Sequence, residues 1–451
     1  MGNRFILLAC ILVISLGTVV VEFPHGLVAI TAVFMLSAVL LFIFRNYTSE
    51  KQFITTVFLV GLAARMAFGL MIHIFELREF FGGDALTYDE SGWGLSQYWL
   101  GKGELTGQLY FQSVGTAWGM TYLTAGLYTL IGRNIFAAQS LCAVVGAAIA
   151  PMVYYCSQKI FGNMRSAKFA AVAVALFPSF IIWTGQLLKD GLIIFMLVVS
   201  ITMVLSLQEK FNYAALAVII GSMFGILSLR FYIFFMVLVA VGGSFLIGVS
   251  TTNRSILRRT FVLVILGVAL TYFGMLRSAQ KQYDIFGSLE RIQSSRIDLV
   301  KSADSGFNEE SDVSTTAGAL SAIPLGFAYL MFAPFPWQAE NLRQTITIPD
   351  VLVWWAMLPF LILGIIYTVK NRLRNAFPVL IFSLLLTLAY SISQGNVGTA
   401  YRQRAQIQVF LFILVGVGWT VYRERRENER MIRADAQRRV NAQLRGLAQR
   451  T

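Results

Sequence analysis

The chain has 451 residues, 57% of them hydrophobic and only 13% charged, with a mean hydropathy of +0.68. A soluble domain carries about 25% charged residues, so this composition excludes an ordinary soluble protein. The net charge of +13 would suit nucleic acid in a soluble chain; here it reads as basic loops held on the cytoplasmic face of a membrane, and no nucleic-acid partner is expected.

Apolar runs of membrane length recur along the chain; about 20 residues at ~1.5 Å each cover a hydrocarbon core of ~30 Å. Spanning helices are expected near 5–21, 27–44, 53–75, 135–156, 168–184, 190–207, 212–229, 231–249, 260–276, 350–369, 376–391 and 408–422. The expected fold is thus all-α, a polytopic bundle of about twelve spanning helices. The first run lacks an A-x-A cleavage signal and reads as a retained anchor. Cys10, Cys142 and Cys156 lie in or beside apolar runs with no CxxC spacing, which argues against disulfides or a cysteine metal site.

The loops divide by charge. "RNYTSEK" (45–51), "SQKIFGNMRSAK" (157–168), "QEK" (208–210), "TTNRSILRR" (251–259) and "KNRLRN" (370–375) are basic or mixed, and the tail 423–451 is rich in arginine. With these on the cytoplasmic face, both termini are cytoplasmic. The outward loops are then 22–26, 76–134, 185–189, 277–349 and 392–407. That alternation needs 116–132 to lie in the interface and the proline-bearing run 317–336 to be interfacial or re-entrant. The chain therefore divides into a transmembrane catalytic domain, 1–422, roofed by loops 76–134 and 277–349, and a basic helical tail, 423–451, lying on anionic lipid. The polar stretch 291–316 reads as mobile or ordered by ligand.

Three outward stretches carry the chemistry. The first is "GGDALTYDESG" (82–92). Asp84 follows the third apolar run closely and can serve as a general base if held within about 3 Å of the proton it takes. Tyr88 lies one helical turn on, and Glu90 on a neighbouring face. The plainer alternative is a solvated turn with helix-capping acids; Asp89 reads as such a solvated acid. The second is "WTGQLLKDG" (183–191), where Lys189 and Asp190 interrupt an apolar stretch, either as a hairpin with snorkelling charge or facing the cavity of Asp84. The third is "SQGNVGTAYRQRAQIQ" (393–408). Its Arg402 and Arg404 break the positive-inside trend and suit an anionic ligand, since guanidinium groups bind phosphate through paired, charge-assisted bonds. Arg65, inside the third run, reads as the buried partner of an acid on another helix. No P-loop, GxGxxG, HExxH or DxD pair occurs, and the two histidines, His25 and His73, make a histidine-based site implausible.

In this order the motifs resemble the integral-membrane glycosyltransferases of the GT-C class. The likeness is to the polyprenyl-phosphate-sugar branch, which includes protein O-mannosyltransferases and aminoarabinose transferases (glycosyltransferase family 39-like). It rests on "GGDALTYDE", on "AGLYTLIGRNIFAAQS" (125–140) followed by "YYCSQKIFGNMRSAK" (154–168), and on "ALFPSFIIWTGQLLKD" (175–190), and it covers about residues 55–210. The resemblance implies a GT-C-like fold in a bacterial inner or plasma membrane, with the active site on the outer face. It implies transfer of a sugar from an undecaprenyl- or dolichyl-phosphate carrier to a glycan, lipid or protein acceptor, with inversion. Asp84 is then the base, Tyr88 and Glu90 orient acceptor or sugar, and Lys189, Arg402 and Arg404 meet the lipid phosphate, with Asp190 beside them. No cofactor is required, though some members use a divalent metal, for which Asp84 with Asp89, Glu90 or Asp190 could supply oxygen ligands. The sequence departs from the class at "LYFQSVG" (109–115), which lacks a lysine some relatives carry, and has no large soluble domain after the last run. Two other readings stand beside this one: a polysaccharide polymerase or ligase acting on undecaprenyl-diphosphate-linked glycans, and a transporter or flippase for an anionic lipid or solute.

Overall fold

A computed structural model describes every residue except 1, 82, 116, 248–252, 302–304, 308–311, 340 and 449–451. Among the described residues the chain is all-helical; its one extended pairing is an isolated bridge between Gly306 and Asn396. The helices in the first half are α1 (Gly2–Val21), α2 (His25–Asn46), α3 (Lys51–Ile74), α4 (Asp84–Trp99), α5 (Gly107–Val114), α6 (Trp118–Ile131), α7 (Ile135–Phe161), α8 (Met164–Leu176) and α9 (Pro178–Thr184). Those in the second half are α10 (Lys189–Glu209), α11 (Tyr213–Leu229), α12 (Phe231–Ile247), α13 (Asn253–Tyr272), α14 (Met275–Phe286), α15 (Leu289–Lys301), α16 (Thr316–Phe332), α17 (Leu342–Asn371), α18 (Leu373–Ser393) and α19 (Val397–Ala448).

Seven helices (α2, α3, α7, α10, α17, α18, α19) are long and apolar enough to cross a bilayer, and nine spans result if the bent pairs α8–α9 and α13–α14 each count once. The protein is an integral membrane protein. Among the described residues each of the twelve apolar runs is mainly helical, but α11 and α12 have 17 residues each; at ~1.5 Å per residue they fall a little short of a ~30 Å core. The run 168–184 is not straight: α8 and α9 meet at 56°. Pro178 has no N–H to give the carbonyl of Val174, so the helical ladder breaks there.

Arg65 is fully buried at this break. Its Nη2 reaches the Val174 carbonyl at 3.4 Å and its Nη1 the Ala175 carbonyl at 3.1 Å, while Nε donates to Thr184 Oγ1 at 2.7 Å. The expected acid partner is therefore replaced by backbone oxygens that the proline leaves without donors.

The loops sort to two ends of the bundle as their charge implies. At one end Lys168 pairs with Glu50 (2.7 Å), Lys159 with Glu209 (2.7 Å) and Arg165 with Glu427 (3.1 Å), and Arg258 Nη1 donates to the Glu209 carbonyl (2.9 Å). At the other, His73 at the end of α3 meets Glu22, Asn134 Nδ2 donates to the His25 carbonyl (3.0 Å), Arg343 Nη2 to the Glu79 carbonyl (3.2 Å), and Asp84 pairs with Arg402 (2.8 Å).

The stretch 76–134 folds as α4, α5 and α6. The stretch 277–349 carries α14, α15 and α16. Within 291–316, residues up to Lys301 are helical, and 302–304 and 308–311 lie outside the described residues. The helical tail from Arg423 continues the last apolar run: α19 runs unbroken for 52 residues. The last loop, 392–407, is mostly the first turns of α19, so Arg402 and Arg404 sit on a helix within the bundle.

Candidate functional site

Asp84 is the first residue of α4, after Gly83, and no side chain caps that helix. Gly82 lies outside the described residues. Asp84 is therefore not spent on capping: its Oδ2 accepts from Arg402 Nη1 at 2.8 Å, 318 residues away in sequence, while 46% of its side chain stays open. An acid free to face solvent, yet tethered across the bundle, has its position fixed by tertiary structure rather than by its own helix.

Behind Arg402 stands Asp190, in the first turn of α10 and fully buried. Arg402 Nε donates to Asp190 Oδ2 at 2.7 Å. Nη2 reaches the same oxygen at 2.6 Å but off the hydrogen-bond axis, so that contact is ionic. Gln406 Nε2 meets Asp190 Oδ1 at 3.3 Å and Arg230 Nη2 approaches it at 3.6 Å. Arg230 in turn donates to Tyr390 Oη (3.1 Å), which donates to Gln406 Oε1 (2.7 Å). The α10 N-terminus also favours a carboxylate. Asp190 thus holds the back edge of the Arg402 guanidinium and leaves its front edge toward Asp84.

Lys189 begins α10 and is half-buried, within electrostatic range of Arg230, Asp190, Asp84 and Arg402. Among the described residues no carboxylate lies within ion-pair distance of it. The Trp183 ring lies 5.4 Å from the Arg402 guanidinium, and its buried indole N–H has no acceptor among the described residues. Two arginines and a lysine against two carboxylates leave one net positive charge, beside the unpaired indole N–H of Trp183. Such a cluster suits a singly charged anion, and guanidinium groups hold phosphate esters through paired, charge-assisted bonds.

Tyr88 is buried one turn after Asp84. Burial, then the Asp84 carboxylate, push its phenol well above the usual range, so it remains a hydrogen-bond donor. Glu90 is exposed and outside the cluster, on the side of Arg133.

Asp89 is not a solvated acid. It is 5% exposed, accepts from Tyr128 Oη at 2.5 Å, and takes Nε and Nη2 of Arg133 at 3.0 and 2.6 Å. It pins α4 to α6. Arg404 is fully buried and faces away from the cluster. Its Nη1 donates to the carbonyls of Met331 (3.2 Å) and Ala333 (2.9 Å), beside Pro334, and Asp350 lies 3.9 Å from Nη2. Like Arg65, it serves carbonyls at a proline break, which separates it from Arg402, whose partners are carboxylates.

Asp84, Tyr88, Lys189, Asp190 and Arg402 therefore come together, while Glu90 and Arg404 do not join them. Arg230, Tyr390, Gln406 and Trp183 belong to the cluster and were not singled out in the sequence. A signal for Arg230 was present: it is the lone charge between two apolar runs. Among the described residues no three His, Cys, Asp or Glu side chains converge as a metal site, and Asp89 is committed to Arg133. No family model matches the chain, and no curated protein matches it.

Proposed function

We propose that the protein is a membrane glycosyltransferase that moves a sugar from a polyprenyl-phosphate carrier to an acceptor hydroxyl, with inversion. The observation that carries this reading is the half-open Asp84 carboxylate paired with Arg402, itself braced by the buried Asp190. A polyprenyl-phosphate sugar has one negative charge at its phosphodiester. Bound at Arg402 and Lys189, it competes with Asp84 for the front edge of the guanidinium and releases that carboxylate as a base. The acceptor oxygen attacks the anomeric carbon from the face opposite the phosphate, and Asp84 takes its proton. The bond from carbon to phosphate oxygen breaks, and the phosphate gains a second negative charge, which Arg402 and Lys189 stabilise in a fixed, partly dry setting. Tyr88 donates a hydrogen bond to sugar or acceptor.

The gathering of basic loops at the far end supports a cytoplasmic location for both termini and an outer-face active site. A polymerase or ligase using diphosphate-linked glycans would call on Arg402 and Arg404 together, and these two diverge. The acceptor classes are glycan, lipid and protein.

The test is transfer of radiolabelled sugar by membranes containing the protein, run across a panel of polyprenyl-phosphate sugars and against a protein-free control. Transfer from at least one monophosphate donor is expected. Transfer only from diphosphate-linked or nucleotide donors would overturn the reading.

A further inference from the structure

At the end remote from Asp84, a groove of about 820 Å³ opens between α8, α17 and α19. Arg402 and Arg423 lie on one helix, 21 residues apart. At ~1.5 Å per residue this is about 31 Å, the thickness of a hydrocarbon core, so the groove belongs to the opposite membrane surface. α8 and α9 meet at 56° at Pro178, and Phe177 and Pro178 line the groove. Its apolar walls include Val172, Leu176 and Val353, each more than a third exposed. Phe169 stacks on Trp419 at 4.8 Å, and Arg423 lies over the Trp419 ring at 4.9 Å.

The rim is basic. Arg165, Lys168 and Arg423 line it with one acid, Glu427. Glu427 pairs with Arg165 at 3.1 Å and Arg423 at 3.4 Å, and Lys168 pairs with Glu50 at 2.7 Å. Three cations against two carboxylates leave one positive charge beside an apolar slot. Arg165 and Arg423 keep 64% and 55% of their side chains open.

We propose that this groove is a binding site for an anionic diacyl phospholipid, with its phosphodiester on Arg165 and Arg423 and one acyl chain along α8 toward Pro178. The single excess charge matches one phosphodiester, and Trp419 lies one turn before Arg423, an aromatic ring beside basic residues as tryptophan is favoured near headgroups. The bound lipid joins α8, α17 and the start of the basic tail, and does not depend on the chemistry at Asp84.

The test uses the full-length protein in an uncharged detergent, titrated with phosphatidylglycerol brominated on its acyl chains. The signal of Trp419 is the quenching present in wild type and lost in Trp419→Phe. Saturable quenching is expected, weakened about thirtyfold in Arg165→Gln/Arg423→Gln, taking about fivefold per basic residue, and weakened likewise for brominated phosphatidylcholine. Ala173→Phe, which fills the groove and keeps every charge, weakens it as well. Equal quenching by phosphatidylcholine would mark ordinary solvating lipid and overturn the proposal. Full affinity in both variants would overturn it too.

Discussion

Three arginines within the bundle divide by what they touch. Arg65 and Arg404 donate to carbonyls freed at proline breaks, while Arg402 faces two carboxylates. Arg65→Leu is expected to cost about 1–3 kcal/mol for each carbonyl left unpaired, read as lowered thermal stability in detergent. Asp190 and Asp84 should differ sharply. Asp190→Asn leaves two arginines facing a neutral amide inside the bundle, a loss of about 3–5 kcal/mol. Asp84→Asn removes one partner of a half-exposed pair and should shift stability by at most ~1 kcal/mol. The same thermal assay checks both, and equal destabilisation would show that Asp84 is structural. The sequence singled out Asp84, Lys189, Asp190 and Arg402 because charge is conspicuous among apolar residues. It misjudged Asp89 and Arg404 because charge says nothing about direction. Asp89 lies at one-turn spacing with Ala85, Gly92 and Ser96, a stripe of small buried residues, and that stripe was the overlooked sign that it faces α6.

Helix against helix, close approach depends on glycine. At the crossing of α17 and α19, a Cβ on Gly364 would lie 1.9 Å from the Leu414 carbonyl oxygen, and one on Gly418 would lie 1.9 Å from that of Phe360. Backbone cannot yield as a side-chain tip can, so the helices would have to separate. Small residues at such crossings are the usual route to tight packing in lipid. Gly364→Ala and Gly418→Ala should each cost about 1–3 kcal/mol, the common range for overpacking. The double variant should cost less than the sum, because one separation relieves both clashes. Additive losses in a thermal double-mutant cycle would contradict a shared crossing. Most helices were legible as apolar runs. The breaks at Pro178 and after Tyr272 were not, because hydropathy averages over them, and α19 begins ahead of its apolar run because its first turns carry Arg402, Gln403, Arg404 and Gln406. Those polar residues mark the cluster itself, so the hydropathy signal fails where the candidate site begins.

Across the whole molecule, charge separates two ends. The ion pairs Lys168–Glu50, Lys159–Glu209 and Arg165–Glu427 gather at one end, and Asp84, Lys189 and Asp190 with Arg402 at the other. Cysteine variants at exposed Glu90 and Arg430, in a chain with the exposed Cys10 replaced by serine and only the buried Cys142 and Cys156 remaining, should label from opposite faces in sealed vesicles. Labelling of both from one face would overturn the bundle's two-ended arrangement. The separation is readable from loop charge alone, since the basic and mixed loops are the ones whose ion pairs gather at one end. The joining of residues 84, 190 and 402 was not, because nothing local links positions hundreds of residues apart.

The central claim is that Asp84 is a base released when the donor phosphate takes Arg402. Its most direct test is the initial rate of sugar transfer against donor concentration for wild type and Asp84→Asn in membranes. A fall in kcat of about 10²–10⁴-fold, with the donor KM unchanged or lowered because a competitor for Arg402 is weakened, is the predicted result. An undiminished kcat, or a loss that lies entirely in a raised donor KM, would contradict it.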